Sequence, residues 1–143
     1  MTQEDKELLI KDLSARLPYG VKINVDYIDF NRDGKLFSIN NNEELILSPE
    51  NGYSFDATIE KCKPYLFPMS SMTDEQRKEL EELYLGYYVT CQDIDDDGYI
   101  WDENVFEMIP CTETDDWLNA HHFDHRGLIP KNLANDATDK NVY

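Results

Sequence analysis

The chain is short of positive charge. Thirteen Lys and Arg stand against thirty Asp and Glu in 143 residues, a formal net charge of −17. Duplex DNA and RNA are held by basic side chains that displace counterions, so no direct nucleic-acid binding is expected. Long apolar runs are missing too. The longest is a few residues, against the roughly 20 that a membrane helix needs, and no membrane partner is expected. The opening MTQEDKELLI is charged and lacks the apolar core of a secretory signal. Cysteine is scarce: Cys62, Cys91 and Cys111 are odd in number and have no CxxC spacing. A disulfide framework is therefore excluded as the organising principle, a reducing compartment fits, and a cytoplasmic location is expected. No P-loop, dinucleotide fingerprint, nucleophile elbow or HExxH is present.

What is there suits one compact α+β domain. Hydrophobic residues make up 41% and tyrosine alone has nine copies, enough for a core and too many for a disordered chain. Leu8, Leu9, Asp12, Leu13, Arg16 and Leu17 recur at the helical period, behind a capping-box variant of Thr2 and Asp5. Pro18 and Gly20 then stop the helix. From residue 21 to 59 the period drops to two. Val21, Ile23, Val25 and Tyr27 alternate with polar residues, 31–34 reads as a turn, and 35–39 as a returning strand. A third strand over 44–47 and a fourth over 53–59 follow, separated by the Pro49-Glu50-Asn51-Gly52 turn signal. Four such strands make an antiparallel meander that curls toward a small SH3-like, partly open barrel.

Residues 63–72 read as an irregular apolar clasp. Thr73 and Gln76 form a second capping box, opening a helix expected to reach residue 88. Thr114, Asp115 and Asp116 cap a last helix carrying Trp117, Leu118, His121 and His122, ended by Gly127. The expected division is 1–69, helix plus sheet, and 70–143, a mainly helical half packed on it.

The strongest chemical motif is DIDDDGYIWDEN, residues 93–104, which resembles the EF-hand calcium loop. Asp93, Asp95 and Asp97 take the first, third and fifth positions, Gly98 the sharp turn, and Ile100 the apolar pin. Calcium wants six to eight oxygens, which clustered carboxylates supply. The twelfth position departs from the pattern: Asn104 stands where a bidentate Glu belongs, so any calcium bound is expected to be held weakly. Residues 29–40, DFNRDGKLFSIN, place Asp29, Asn31, Asp33 and Gly34 in the same positions, but Asn-x-Asp-Gly is also a hairpin turn. No other cofactor is expected.

All three histidines fall in HHFDH, residues 121–125. His121 and His125 are four apart and would share a helix face, as a transition-metal pair requires. Asp124, Asp115 and Asp116 are the nearest carboxylates. The competing reading is structural, with imidazoles favoured beside the last carbonyls of a helix. A metal-dependent enzyme built on this cluster is an alternative function, as is calcium binding.

Two stretches, LLIKDLSARLPYGVK (8–22) and the run from KPYLFPMSSMTDEQRKEL (63–80) to WLNAHHFDHRGLIPKNLA (117–134), resemble a family of small acidic proteins encoded by gut Bacteroides, their prophages and other mobile elements. That family brings no assigned activity and no catalytic residue. The resemblance implies a bacterial or phage cytoplasmic setting and an accessory role. The leading expectation is a non-enzymatic module that binds a basic protein surface. Its candidate face is the acidic stretch itself, where Asp96, Asp102 and Glu103 join Asp93, Asp95 and Asp97, interleaved with Tyr99 and Trp101.

Overall fold

The computed structural model describes residues 1–83, 100–101, 108–109 and 112–143. Helix α1 (Gln3–Arg16) opens it. The Thr2 hydroxyl accepts from the Asp5 amide at 3.1 Å, and the Asp5 carboxylate accepts from the Thr2 amide at 3.5 Å, completing the capping box. A 3-10 turn, Leu17–Tyr19, follows. Gly20 then turns the chain with φ 69°, a left-handed conformation that costs glycine little.

Strands β1 (Lys22–Asp26), β2 (Asn31–Ile39), β3 (Glu44–Ser48) and β4 (Phe55–Thr58) form the antiparallel meander. Strand β5 (Cys62–Leu66) pairs antiparallel with the other edge of β1, and the short β8 (Asn135–Asp136) adds in parallel beyond it, giving the order β4-β3-β2-β1-β5-β8. Only the 3-10 turn Ile59–Lys61 links β4 to β5. In a flat sheet those strands would lie about 19 Å apart, four spacings of roughly 4.8 Å. A three-residue 3-10 turn climbs about 6 Å. The sheet must therefore curl, and the Cys62 thiol donating to the Thr58 carbonyl at 3.3 Å ties the two strand ends together. The curl stops short of closure. Strands β4 and β8 are the two edges and no ladder joins them, so the meander is an open curled sheet rather than a closed barrel.

The inner face of this sheet carries Ile23, Val25, Leu36, Leu45, Leu47 and Ala57, packed on Leu9 and Leu13 of α1. Leu66, Leu128, Leu133 and Ala134 complete the same core from the far end of the chain. Each fully buried aliphatic side chain contributes roughly 1.5–3 kcal/mol. Gly34 lies on this face because nothing larger fits: a Cβ there would stand 2.8 Å from Leu47 Cβ and 3.2 Å from the Phe55 ring.

Two local expectations are corrected. Residues 31–34 are strand, not turn, and the reversal lies at 27–30, where the Tyr27 amide donates to the Phe30 carbonyl at 2.9 Å. Asn31 and Asp33 pair across the ladder with Asp26 and Asn24, so the calcium-loop pattern of residues 29–40 falls mostly on an extended strand. Residues 62–66 form β5 instead of an irregular clasp. Pro64 there lacks the amide but still takes its place in the ladder, opposite Ile23.

In the second half, α2 (Asp74–Leu83) carries the predicted Thr73–Gln76 capping box, with bonds of 2.9 and 3.2 Å. Its continuation to residue 88 lies outside the described residues. Strands β6 (Ile100–Trp101) and β7 (Met108–Ile109) pair antiparallel. Helix α3 (Thr112–Ala120) begins before the expected cap, so Thr114, Asp115 and Asp116 lie within its first turns, and it packs on α2 around Leu80, Leu118, Phe123, Met69 and Met72. Among the described residues no helix is long and apolar enough to cross a membrane.

Candidate functional site

Helix α1 buries two charges on the same stripe as its leucines. Asp12 and Arg16 are both fully buried, one turn apart. Arg16 Nε donates to Asp12 Oδ2 at 2.7 Å, and Arg16 Nη2 donates to the Phe123 carbonyl at 2.6 Å. The other Asp12 oxygen accepts from Arg126 at 2.9 Å. One carboxylate thus holds two guanidiniums, and α1 is bolted to the segment after α3. Arg126 reaches Asn119 Oδ1 at 3.2 Å, and the same oxygen accepts from His125 Nε2 at 2.7 Å. A buried carboxylate keeps its charge only with such partners.

The histidines, adjacent in sequence, are given three separate environments. His125 is buried in this cluster, with Nδ1 3.8 Å from Asp115. His121 Nδ1 donates to the Trp117 carbonyl at 2.9 Å, and its ring stacks on Trp117 at 4.0 Å. His122 stacks on Tyr143 at 3.7 Å. The expected face-sharing fails because α3 ends at Ala120, well before Gly127. The Phe123 amide reaches back to the Leu118 carbonyl and the His122 amide to that of Asn119, a Schellman ending with His122 left-handed at φ 62° where glycine is usual. Asp124 serves no ring. Its two oxygens accept from the Leu128 and Ile129 amides, each at 2.8 Å, and burial raises its pKa against those bonds. Asp115 is also raised, by burial. Asp116 is exposed. Among the described residues no group of three or more His, Cys, Asp or Glu side chains could hold a metal ion, which weighs against a metal-dependent enzyme.

Tyr143 closes the seam between β1 and β5. Its hydroxyl accepts from the Lys22 amide at 2.9 Å and donates to the Tyr65 carbonyl at 2.8 Å. Burial of this end pushes the phenol up to about 12. His122 beneath it is held down to about 4, first by burial and then by the Arg16 charge. Its Nδ1 is buried and makes no hydrogen bond among the described residues. The folded state therefore binds this proton less tightly than the unfolded chain does. The contribution of this group is expected to be complete above pH 6.5 and to decline as the pH falls toward about 4. Since the ring is only half-buried, solvent screening reduces the expected loss to about 1–2 kcal/mol. Urea titrations at pH 7 and 4.5 check this. His122→Asn, which tolerates the left-handed backbone, should be less acid-sensitive than wild type by that amount. An unchanged pH profile would assign the acid sensitivity elsewhere.

Cys62 is buried, and desolvation lifts its thiol to about 12, which makes it a small core hydrophobe rather than a nucleophile. Apart from the β6 backbone at Ile100–Trp101, the acidic stretch 93–104 lies outside the described residues, including the calcium candidates Asp93, Asp95, Asp97 and Asn104 and the protein-binding candidates Asp96, Tyr99, Asp102 and Glu103. The sequence reading missed Asn119 and Arg126. It placed Asp12 and Arg16 on the leucine stripe without drawing the consequence: an oppositely charged pair at i, i+4 on an apolar face is the signal of a buried ion pair. Comparisons with protein-family models, curated proteins and solved structures returned no match.

Proposed function

We propose that the chain is a non-enzymatic acidic interaction module that docks onto a basic protein surface, in the bacterial or phage cytoplasm that the resemblance implies. One observation carries the reading. Ile28, Tyr53 and Phe30 are 94%, 93% and 60% exposed, and all sit in the β1–β2 and β3–β4 loops, which leave the meander in the same direction. Exposed Asp26, Asp29 and Glu50 lie in or next to the same two loops. Large apolar side chains cost solubility unless a partner covers them. Apolar anchors supply affinity at an interface while a rim of one charge steers its complement. The stretch 93–104 has the same mixture of rings and acids, and the proposal includes it as a second contact.

The test is a variant with Ile28→Ser, Phe30→Ser and Tyr53→Ser together. Side chains this exposed contribute little to folding, so its melting temperature should stay near wild type. Immobilised wild-type protein is expected to retain a specific basic protein from host lysate in a salt-sensitive manner. The variant should bind that protein at least about tenfold more weakly, a modest loss for anchor residues. Equal retention by both proteins, or no specific retention by wild type, would rule out this face.

A further inference from the structure

The outer face of the sheet carries a second feature, independent of the apolar loops. In the β1–β2 ladder Lys22 stands directly opposite Lys35, and Ser48 of β3 is opposite Lys35 in turn. Like charges facing each other across an antiparallel pair are unfavourable. This chain has thirty acids to intersperse among thirteen Lys and Arg, yet among the described residues neither lysine is paired with a carboxylate. Both side chains are also positioned. Lys22 Nζ donates to the Val142 carbonyl. The Lys35 stem lies across Gly20, its Cε 2.5 Å from where a Cβ would be.

The two lysines line one cleft of about 440 Å³, together with Ser48, Asn141, Asp33 and Glu50. That volume suits a small molecule. The Asp33 carboxylate is itself oriented, with Oδ1 accepting from Asn24 at 2.8 Å and from the Tyr65 hydroxyl at 3.0 Å. The cleft therefore offers a cationic row with hydroxyl and amide donors, and beside it the oriented Asp33 carboxylate and Glu50.

We propose that this cleft binds a small molecule bearing an oxyanion, phosphate or carboxylate, beside an amino group: the oxyanion lies on Lys22, Lys35 and Ser48, and the amine faces Asp33 and Glu50. The two ammoniums repel across the ladder, and a bound oxyanion gives both a counter-charge at ion-pair distance, which among the described residues no carboxylate does.

The experiment is an amide-resolved NMR titration of the ¹⁵N-labelled chain at constant ionic strength, with three probes: orthophosphate, O-phosphoserine and glutamate. O-phosphoserine or glutamate is expected to shift the amides of Lys22, Lys35, Ser48 and Asn141 saturably, with a Kd of roughly 1 mM or tighter. Whichever binds better distinguishes phosphate from carboxylate, and weaker binding of orthophosphate would show that the amine contributes. The double variant Lys22→Gln, Lys35→Gln should lose at least about tenfold in affinity, while Lys35→Arg should retain binding because the charge remains. The proposal fails if no probe saturates by roughly 20 mM. It fails equally if the double variant binds like wild type, or if shifts spread over all lysines alike.

Discussion

Replacing Asp12 with Ala is expected to destabilise the fold by about 3–5 kcal/mol, the cost of leaving a buried charge without its partner. Asp12 accepts from Arg16 at 2.7 Å and from Arg126 at 2.9 Å. Its loss leaves the fully buried Arg16 guanidinium, among the described residues, with the Phe123 carbonyl alone. Since a domain of this kind has about 5–15 kcal/mol in total, the variant should melt far earlier and be partly unfolded at 37 °C. The pair need not be a net source of stability. Desolvating two charges offsets most of their attraction, so Asp12→Leu with Arg16→Met is expected to recover much of the loss. Urea unfolding of the single and double variants separates the two effects. A single-variant loss below about 1 kcal/mol would mean that water reaches Arg16 and that the cluster is not sealed.

Leu13→Ala is the second large effect, expected at about 2–5 kcal/mol. Leu13 is fully buried in the core that α1 shares with the inner sheet face, the same cluster as Leu9, Val25 and Leu47. Truncation removes the transfer free energy of the lost carbons and leaves a cavity between two rigid layers that cannot collapse into it. The control is Ile28→Ser, an equally apolar position that is 94% exposed and should change stability by no more than about 0.5 kcal/mol. Similar losses at both sites, measured by denaturant titration, would contradict the assignment of core and surface.

Local signals in the chain were legible where the interaction deciding them is itself local. Thr2 with Asp5 and Thr73 with Gln76 cap helices because donor and acceptor lie three residues apart. The alternation from residue 21 onward betrayed a sheet with one buried face. The turn was misplaced by four residues for a tertiary reason. Asn31-Arg32-Asp33-Gly34 has turn chemistry, but Leu47 and Phe55 close over Gly34 and require it flat against the core. Strand β5 was hidden by Pro64 and by a partner, β1, some forty residues earlier in the chain. Strand β8 is two residues long and pairs with Tyr65 and Leu66 from the other end of the molecule, so no periodicity could announce it.

The histidines divide the two levels most clearly. Their spacing allowed a shared helix face, and only the position of the helix end decides whether that face exists. Helix α3 stops at Ala120 because Phe123 must turn back into the second core beside Leu118 and Met72, and each ring is then distributed to the neighbour it meets. By itself the sequence determined the fold class, the starts of α1 and α2, the acidic balance and the apolar alternation, since composition and near-neighbour spacing set these. The tertiary structure decided that Asp12 meets Arg126, that Lys22 stands beside Lys35 on the lining of one cleft, and that Ile28, Phe30 and Tyr53 are exposed in the β1–β2 and β3–β4 loops. Those juxtapositions depend on how a curled sheet brings distant segments together, and no local pattern encodes that.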